Sequence, residues 1–333
     1  MNRDFFKIFR DYKEISIRYD AHHRAIWFYY NPTPRPCFSP TVLKEARQLQ
    51  QSIIDYFDTK KTDSESPIRY FIQASQVPGI FNLGGDLSLF IKLIKDRNRQ
   101  QLLDYSKQCI EICYLNAMNL HLPITTISLV EGVALGGGFE SALSSNVLVA
   151  TEDAKMGFPE IRFNLFPGMG AYSLLARIAG MTTTEKMITS GAIYSGRVLY
   201  DMGIVNHLAE TGKGQKSVEK FIRQHQRSGN GRQALQQVRQ RYHPIDYQEL
   251  ADITEIWVDA ALRLEDRDLR MMDRLVRAQL TKVAPDKQKK RSLLRTKQDR
   301  RFVMDEVTFP LTGWSGETIM FDRRNNSDRR LLH

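Results

Sequence analysis

Glu140 and Glu160 are the residues whose types and spacing best suit chemistry. They stand twenty residues apart in the stretch VEGVALGGGFESALSSNVLVATEDAKMGFPEIRFNLFPGMG, residues 130–170, around the triple glycine Gly136, Gly137 and Gly138. Two carboxyls brought close together and buried can hold one proton between them at neutral pH, because repulsion and desolvation push their pKa values apart. A glycine turn beside them lets backbone N–H groups approach a ligand closely. The pattern therefore points to acid–base chemistry next to a turn that binds negative charge.

Local elements must hold these groups in place. The β-branched, apolar run Ile124–Val130, bounded by Pro123 and Gly132, reads as a buried strand of a mostly parallel sheet. Phe139 to Leu143 then reads as the first turn of a helix. Glu140 could serve there only as a favourable charge at a helix start. A second strand, Ile68–Gln73, leads to Gly84 and Gly85, with Asp86 as the expected N-cap of the next helix. Two such turns could direct two N–H donors at one oxygen. One donor of that kind is typically worth roughly 100- to 1000-fold in rate.

Three segments in order, FNLGGDL (81–87), EGVALGGGFE (131–140) and MGFPEIRFNLFPGMGA (156–171), resemble the crotonase, or enoyl-CoA hydratase, superfamily. The likeness continues through Met187 to Val205, which resembles the family's helix–turn–helix followed by a glycine-led strand. It covers about Ile15 to Leu208. It implies an α/β fold with a crotonase-like ββα spiral core and a C-terminal helical region. It further implies Glu140 and Glu160 as the catalytic pair, Gly85 and Gly137 as the oxyanion-hole donors, and no metal or cofactor.

Within the superfamily, VPGIFNLGGDLSLF (77–90) and PEIRFNLFPGMGAYSLLARIAG (159–180) are most similar to the diffusible signal factor synthases. That resemblance implies dehydration of a 3-hydroxyacyl-[acyl carrier protein] to the cis-2-enoyl thioester and hydrolysis to a free quorum-sensing fatty acid. Glu160 is expected to take the C2 proton and Glu140 to protonate the leaving hydroxyl, or the reverse. The alternatives are an enoyl-CoA hydratase acting on CoA thioesters and a non-catalytic scaffold that binds a partner. The same resemblance implies a homotrimer or hexamer and binding to the receiver domain of a sensor kinase.

A chain of 333 residues, 42% hydrophobic, can bury one large core and carry an extension. The expected layout is a catalytic core over 1–210, a helical oligomerisation and acyl-pocket region over 211–283, and a basic, partly disordered tail over 284–333. Helices are expected at Ser39 to Phe57, Leu87 to Asn119, Gln215 to Arg227, Asn230 to Arg241 and Gln248 to Leu280. Phe166, Met169 and Trp257 are candidates for the acyl-pocket wall, or are ordinary core side chains.

Lys213 to His333 holds 26 Lys and Arg against 17 Asp and Glu, nearly all of the chain's net charge of +10. Such a face would steer an acidic acyl carrier protein by long-range attraction. It lacks the aromatic–basic interleaving of a single-strand nucleic-acid groove. Cys37, Cys109 and Cys113 offer no even pairing or zinc spacing and read as buried thiols; His22, His23 and His121 read as surface or capping residues. No apolar run reaches transmembrane length, and the charged N-terminus lacks a signal-peptide core, so a cytoplasmic location is expected.

Overall fold

A computed structural model describes Phe5, residues 7–59 and 66–283, and the backbone of 311–312 and 318–319. Residues through Val283 form one compact unit, and those from Ala284 form a second. In the second, Leu311–Thr312 pairs antiparallel with Thr318–Ile319; the expected basic tail otherwise lies outside the described residues.

The first unit is an α/β structure built on two sheets. β1 (Ile15–Asp20) and β2 (Ala25–Tyr30) form the expected hairpin. β2 continues into a parallel array with β3 (Tyr70–Ser75), β5 (Thr125–Val130), β7 (Val147–Thr151) and β10 (His207–Ala209). All six residues of β5 are buried, as its unbroken apolar and β-branched run requires. A smaller sheet contains β4 (Ile80–Asn82), β6 (Val133–Leu135), β8 (Lys155–Gly157) and β9 (Ile193–Ser195), parallel except for the β8–β9 pair. β4 and β6 are the short strands that run into the two glycine turns.

Helix α1 (Pro40–Asp58) starts as its sequence dictates. The Ser39 hydroxyl accepts from the Val42 amide at 3.0 Å and Pro40 fills the first position, where no N–H is needed. The helix expected from Leu87 to Asn119 is instead two, α2 (Leu87–Lys95) and α3 (Arg99–Ala117). Arg97 takes a left-handed φ of 48° and Asn98 caps the second helix by accepting from the Gln101 amide, which turns the chain between them. After α4 (Gly137–Leu143) come α5 (Ala171–Ala179), α6 (Met181–Ser190) and α7 (Gly196–Asp201). Gly203 to Val205 is not the expected strand; it leads into β10, with Ile204 and Val205 in the core.

The C-terminal helices are α8 (Gly214–Arg227), α9 (Gly229–Tyr242), α10 (Tyr247–Ala261) and α11 (Asp266–Val283). The last two replace the single helix expected from Gln248 to Leu280. Asp268 Oδ2 accepts from the Glu265 amide at 3.0 Å and caps a new helix after the chain has turned. α10 packs along α3, while α11 packs on α2 and on the short 3₁₀ turn Glu160–Phe163. Among the described residues, no helix is long and apolar enough to cross a membrane.

Candidate active site

The two glycine turns meet. A side chain on Gly84, whose φ is +92°, would stand 2.8 Å from the Leu135 carbonyl oxygen and 3.0 Å from the Gly137 nitrogen. Only glycine permits both that backbone conformation and that approach. Asn82 fixes the first turn, since its Oδ1 accepts from the Gly84 amide at 2.8 Å. Its own carbonyl lies against Gly138, whose missing Cβ lets the second turn close on the first. Gly85 and Gly137 line one cavity, and neither amide has a backbone partner among the described residues.

That cavity encloses about 270 Å³ and also holds Glu140 and Glu160. Glu140 sits on α4 and is 1% exposed. Its Oε1 accepts from the Met169 amide at 2.6 Å and the Ala171 amide at 2.9 Å. Burial raises its pKa to about 7 against the pull of those two amides, which favour the charged form. Glu160, at the start of the 3₁₀ turn, is raised well above the usual carboxylate range, by burial first and by the neighbouring Glu140 charge second. Its Oε2 is buried with no hydrogen-bond partner. Burial holds both carboxyls toward the neutral form, and their surroundings differ: two amides favour the ionised form of Glu140, and no such donor reaches Glu160 Oε2. Such a pair can accept a proton at one end and donate one at the other.

The cavity wall is mostly apolar. Trp257 on α10 donates its indole N–H to the Phe166 carbonyl at 2.9 Å and packs edge-on against Phe90, 5.1 Å between ring centres. Phe90 packs in the same way on Tyr105. Of the three wall candidates, Met169 and Trp257 line the cavity. Phe166 does not line it. Its carbonyl anchors the indole, and its partly buried side chain packs against the hydrophobic core. Sequence reasoning missed Phe90, Tyr105, Phe163, Leu275 and Gln279, which also line the cavity. Leu275 and Gln279 come from α11 and reach the site only through tertiary packing; helical periodicity could mark their helix but not its destination.

Of the residues singled out for other reasons, Cys109 lines the cavity, whereas Cys37, Cys113, His22, His23 and His121 do not. Cys37, Cys109 and Cys113 are free and buried, and burial pushes the Cys37 thiol up to about 12. His23 is not a surface residue: it is buried at the β1–β2 turn with Nδ1 2.8 Å from Asp20 Oδ2. The described residues hold no cluster of three or more His, Cys, Asp or Glu side chains that could hold a metal.

Residues 46–262 match the sequence model of the enoyl-CoA hydratase/isomerase family. The chain belongs to that family. Among curated relatives, the mouse mitochondrial methylglutaconyl-CoA hydratase is 31% identical over 165 residues, 50% of either chain. The chain thus spans about half the length of the curated relatives it matches. Among solved structures, the enoyl-CoA hydratase from Bacillus halodurans superposes with a TM-score of 0.63 at 17% identity, covering 78% of this chain and 98% of that one. DspI from Pseudomonas aeruginosa superposes with a TM-score of 0.54 at 17% identity, covering 88% of this chain and 98% of that one. These likenesses establish the α/β crotonase-like fold with its C-terminal helices.

Proposed function

We propose that this protein adds water reversibly across the C2–C3 double bond of a 2-enoyl thioester, with CoA as the carrier. The observation that carries the reading is the meeting in one cavity of Glu140, whose Oε1 is held by two amides, and Glu160, whose Oε2 has no partner, beside the free amides of Gly85 and Gly137. In hydration, the Glu140 carboxylate takes a proton from water while the water oxygen bonds to C3. The double-bond electrons move onto the thioester oxygen, where the Gly85 and Gly137 N–H groups hold the enolate. Glu160 then delivers its proton to C2. In elimination the steps reverse: Glu160 removes the C2 proton and Glu140 protonates the departing hydroxyl. One proton shared by the pair serves both directions. The hydratases among the relatives support CoA as carrier.

A second reading is favoured by the sequence of the first glycine turn, FNLGGDL, and of the segment PEIRFNLFPGMGAYS that follows Phe158. Under it the same pair dehydrates a 3-hydroxyacyl-[acyl carrier protein] and directs water at the thioester carbonyl, releasing a cis-2-enoic acid as a signal. Family resemblance supports a trimeric assembly under either reading.

Incubation of the purified protein with matched 3-hydroxyacyl and 2-enoyl thioesters of CoA and of acyl carrier protein, followed by mass spectrometry and analysis of product geometry, separates the two. Interconversion of enoyl-CoA and 3-hydroxyacyl-CoA, abolished in Glu140→Ala and Glu160→Ala, is the expected result. A glutamate-dependent free cis-2-enoic acid would move the second reading to first place, and no glutamate-dependent turnover would sink both.

A further inference from the structure

A buried polar network centred on Gln73 of β3 reaches α4 at Ser141, which is not among the residues lining the cavity. Gln73 is 3% exposed, and both ends of its amide are used. Its Oε1 accepts from the Tyr30 hydroxyl at 2.9 Å and the Ser141 hydroxyl at 3.0 Å. Its two Nε2 hydrogens go to the Ser141 carbonyl and the Ser128 hydroxyl, both at 2.7 Å, with the Ser145 hydroxyl sharing one of them at 3.1 Å. Ser141 directly follows Glu140. One side chain thus grips that residue by its backbone and by its hydroxyl, while the Met169 and Ala171 amides hold the Glu140 carboxylate.

We infer that Gln73 is a positioning residue: by holding Ser141 it fixes the seating of α4, and with it the Glu140 carboxylate and the Gly137 amide. The inference rests on the proposed hydratase reading for its catalytic consequence. A seven-residue helix has too few internal hydrogen bonds to hold its own position, so its seating depends on what grips it from outside. A partly satisfied network would be worse than an apolar one, because each stranded polar group would pay for its desolvation. Gln73 ties β2, β3 and β5 to α4 through Tyr30, its own backbone and Ser128, and Tyr30 and Ser128 also reach α4 directly, at the Ser141 hydroxyl (3.1 Å) and the Ala142 carbonyl (2.9 Å). A shift of about 1 Å in a reacting group costs on the order of 100-fold in rate.

Gln73→Met replaces the amide with an apolar side chain of similar length. Thr126→Val serves as control, because Thr126 is a buried hydroxyl bonded to the Asn116 carbonyl and the Asn146 amide, and it makes no hydrogen bond to α4. The expected result for Gln73→Met is a fall in kcat of roughly 10- to 100-fold with KM changed less than about 3-fold, and an acid limb of the pH profile displaced upward. Thr126→Val, even with an equal loss of Tm, keeps kcat within about 2-fold of the parent. Equal kcat in the two variants at equal Tm would overturn the inference. Hydrogen exchange gives a readout independent of turnover: the amides from Glu140 to Ser144 should exchange at least about 10-fold faster in Gln73→Met, while β5 amides stay protected. If the parent protein turns over no acyl thioester, the hydratase reading fails; unchanged exchange in α4 would sink the positioning role whatever the activity.

Discussion

The Glu160 carboxyl occupies the space that a side chain on Gly136 would need. A Cβ built on Gly136 falls on Glu160 Oε1, and Gly136 itself has φ +51° and ψ −124°, a conformation that residues with a Cβ avoid. The glycine that begins the second turn therefore also makes room for the acid.

Gly136→Ala should displace Glu160 from the cavity and strain the turn together. The expected outcome is at least about a 100-fold loss of kcat/KM, with stability lower by roughly 1 to 3 kcal/mol. Steady-state kinetics and chemical denaturation on the same preparation check both. Parent-like turnover in a folded variant would show that Glu160 does not act from its observed position.

The proton inventory of the pair sets a pH profile. kcat/KM should rise as pH passes about 7, where Glu140 ionises, and fall again at higher pH when Glu160 loses its proton. Glu160→Gln should remove activity at every pH. A flat profile between pH 5 and 9 would contradict the shared-proton arrangement.

The same shifts govern stability, with a definite sign. Burial raises both carboxyls in the folded state, so the folded chain holds protons that the unfolded chain releases. Their contribution is fully present below the ordinary carboxylate range and is lost as pH rises through the folded values. For Glu140, raised to about 7, the loss is on the order of 3 kcal/mol. Glu160→Gln should therefore melt at a higher temperature than the parent at pH 8 and near the parent at pH 4. Calorimetry at the two pH values tests this, and a variant less stable at pH 8 would reverse the sign.

Trp257→Phe removes the hydrogen bond to the Phe166 carbonyl and thins the cavity wall. We expect about 1 to 2 kcal/mol of destabilisation and a shift of substrate preference toward longer or branched acyl chains. Competition between chain lengths, read as kcat/KM ratios, measures it. An unaltered ratio would place the acyl chain elsewhere.

Asp86 joins the first glycine turn to α2. Its Oδ1 accepts from the Ser88 and Leu89 amides and pairs with Arg35 at 2.7 Å. Asp86→Ala should cost about 2 kcal/mol and lower turnover through the adjacent Gly85. Asp86→Asn keeps a capping oxygen and should recover more than half of that stability. Equal losses in the two variants would assign the effect to the ion pair instead.

Local signals in the sequence located most of the elements and the centre of the site. Ser39–Pro40 marked the start of α1, the apolar run 124–130 marked β5, and the two glycine turns carried Gly85, Gly137 and Glu140 to one cavity. The breaks at Arg97 and near Glu265 were hidden because apolar periodicity runs across them, and side-chain caps at Asn98 and Asp268 decide where the helices restart. Gln73 reads locally as one more residue of a strand. Its role depends on Ser141, 68 residues away. The aromatic wall was half legible for the same reason: Trp257 could be guessed, whereas Phe90 and Leu275 are neighbours of the cavity only after the helices pack.

α11 lies beyond residues 46–262, the span that matches the family, yet Leu275, Ala278 and Gln279 close one side of the cavity. The two carboxylates and the glycine turns belong to the shared span. The wall of the cavity is thus drawn from both stretches, Phe90, Met169 and Trp257 from the shared span and Leu275, Ala278 and Gln279 from beyond it, so that part of the surroundings of the two carboxyls can diverge without altering the family's own segment.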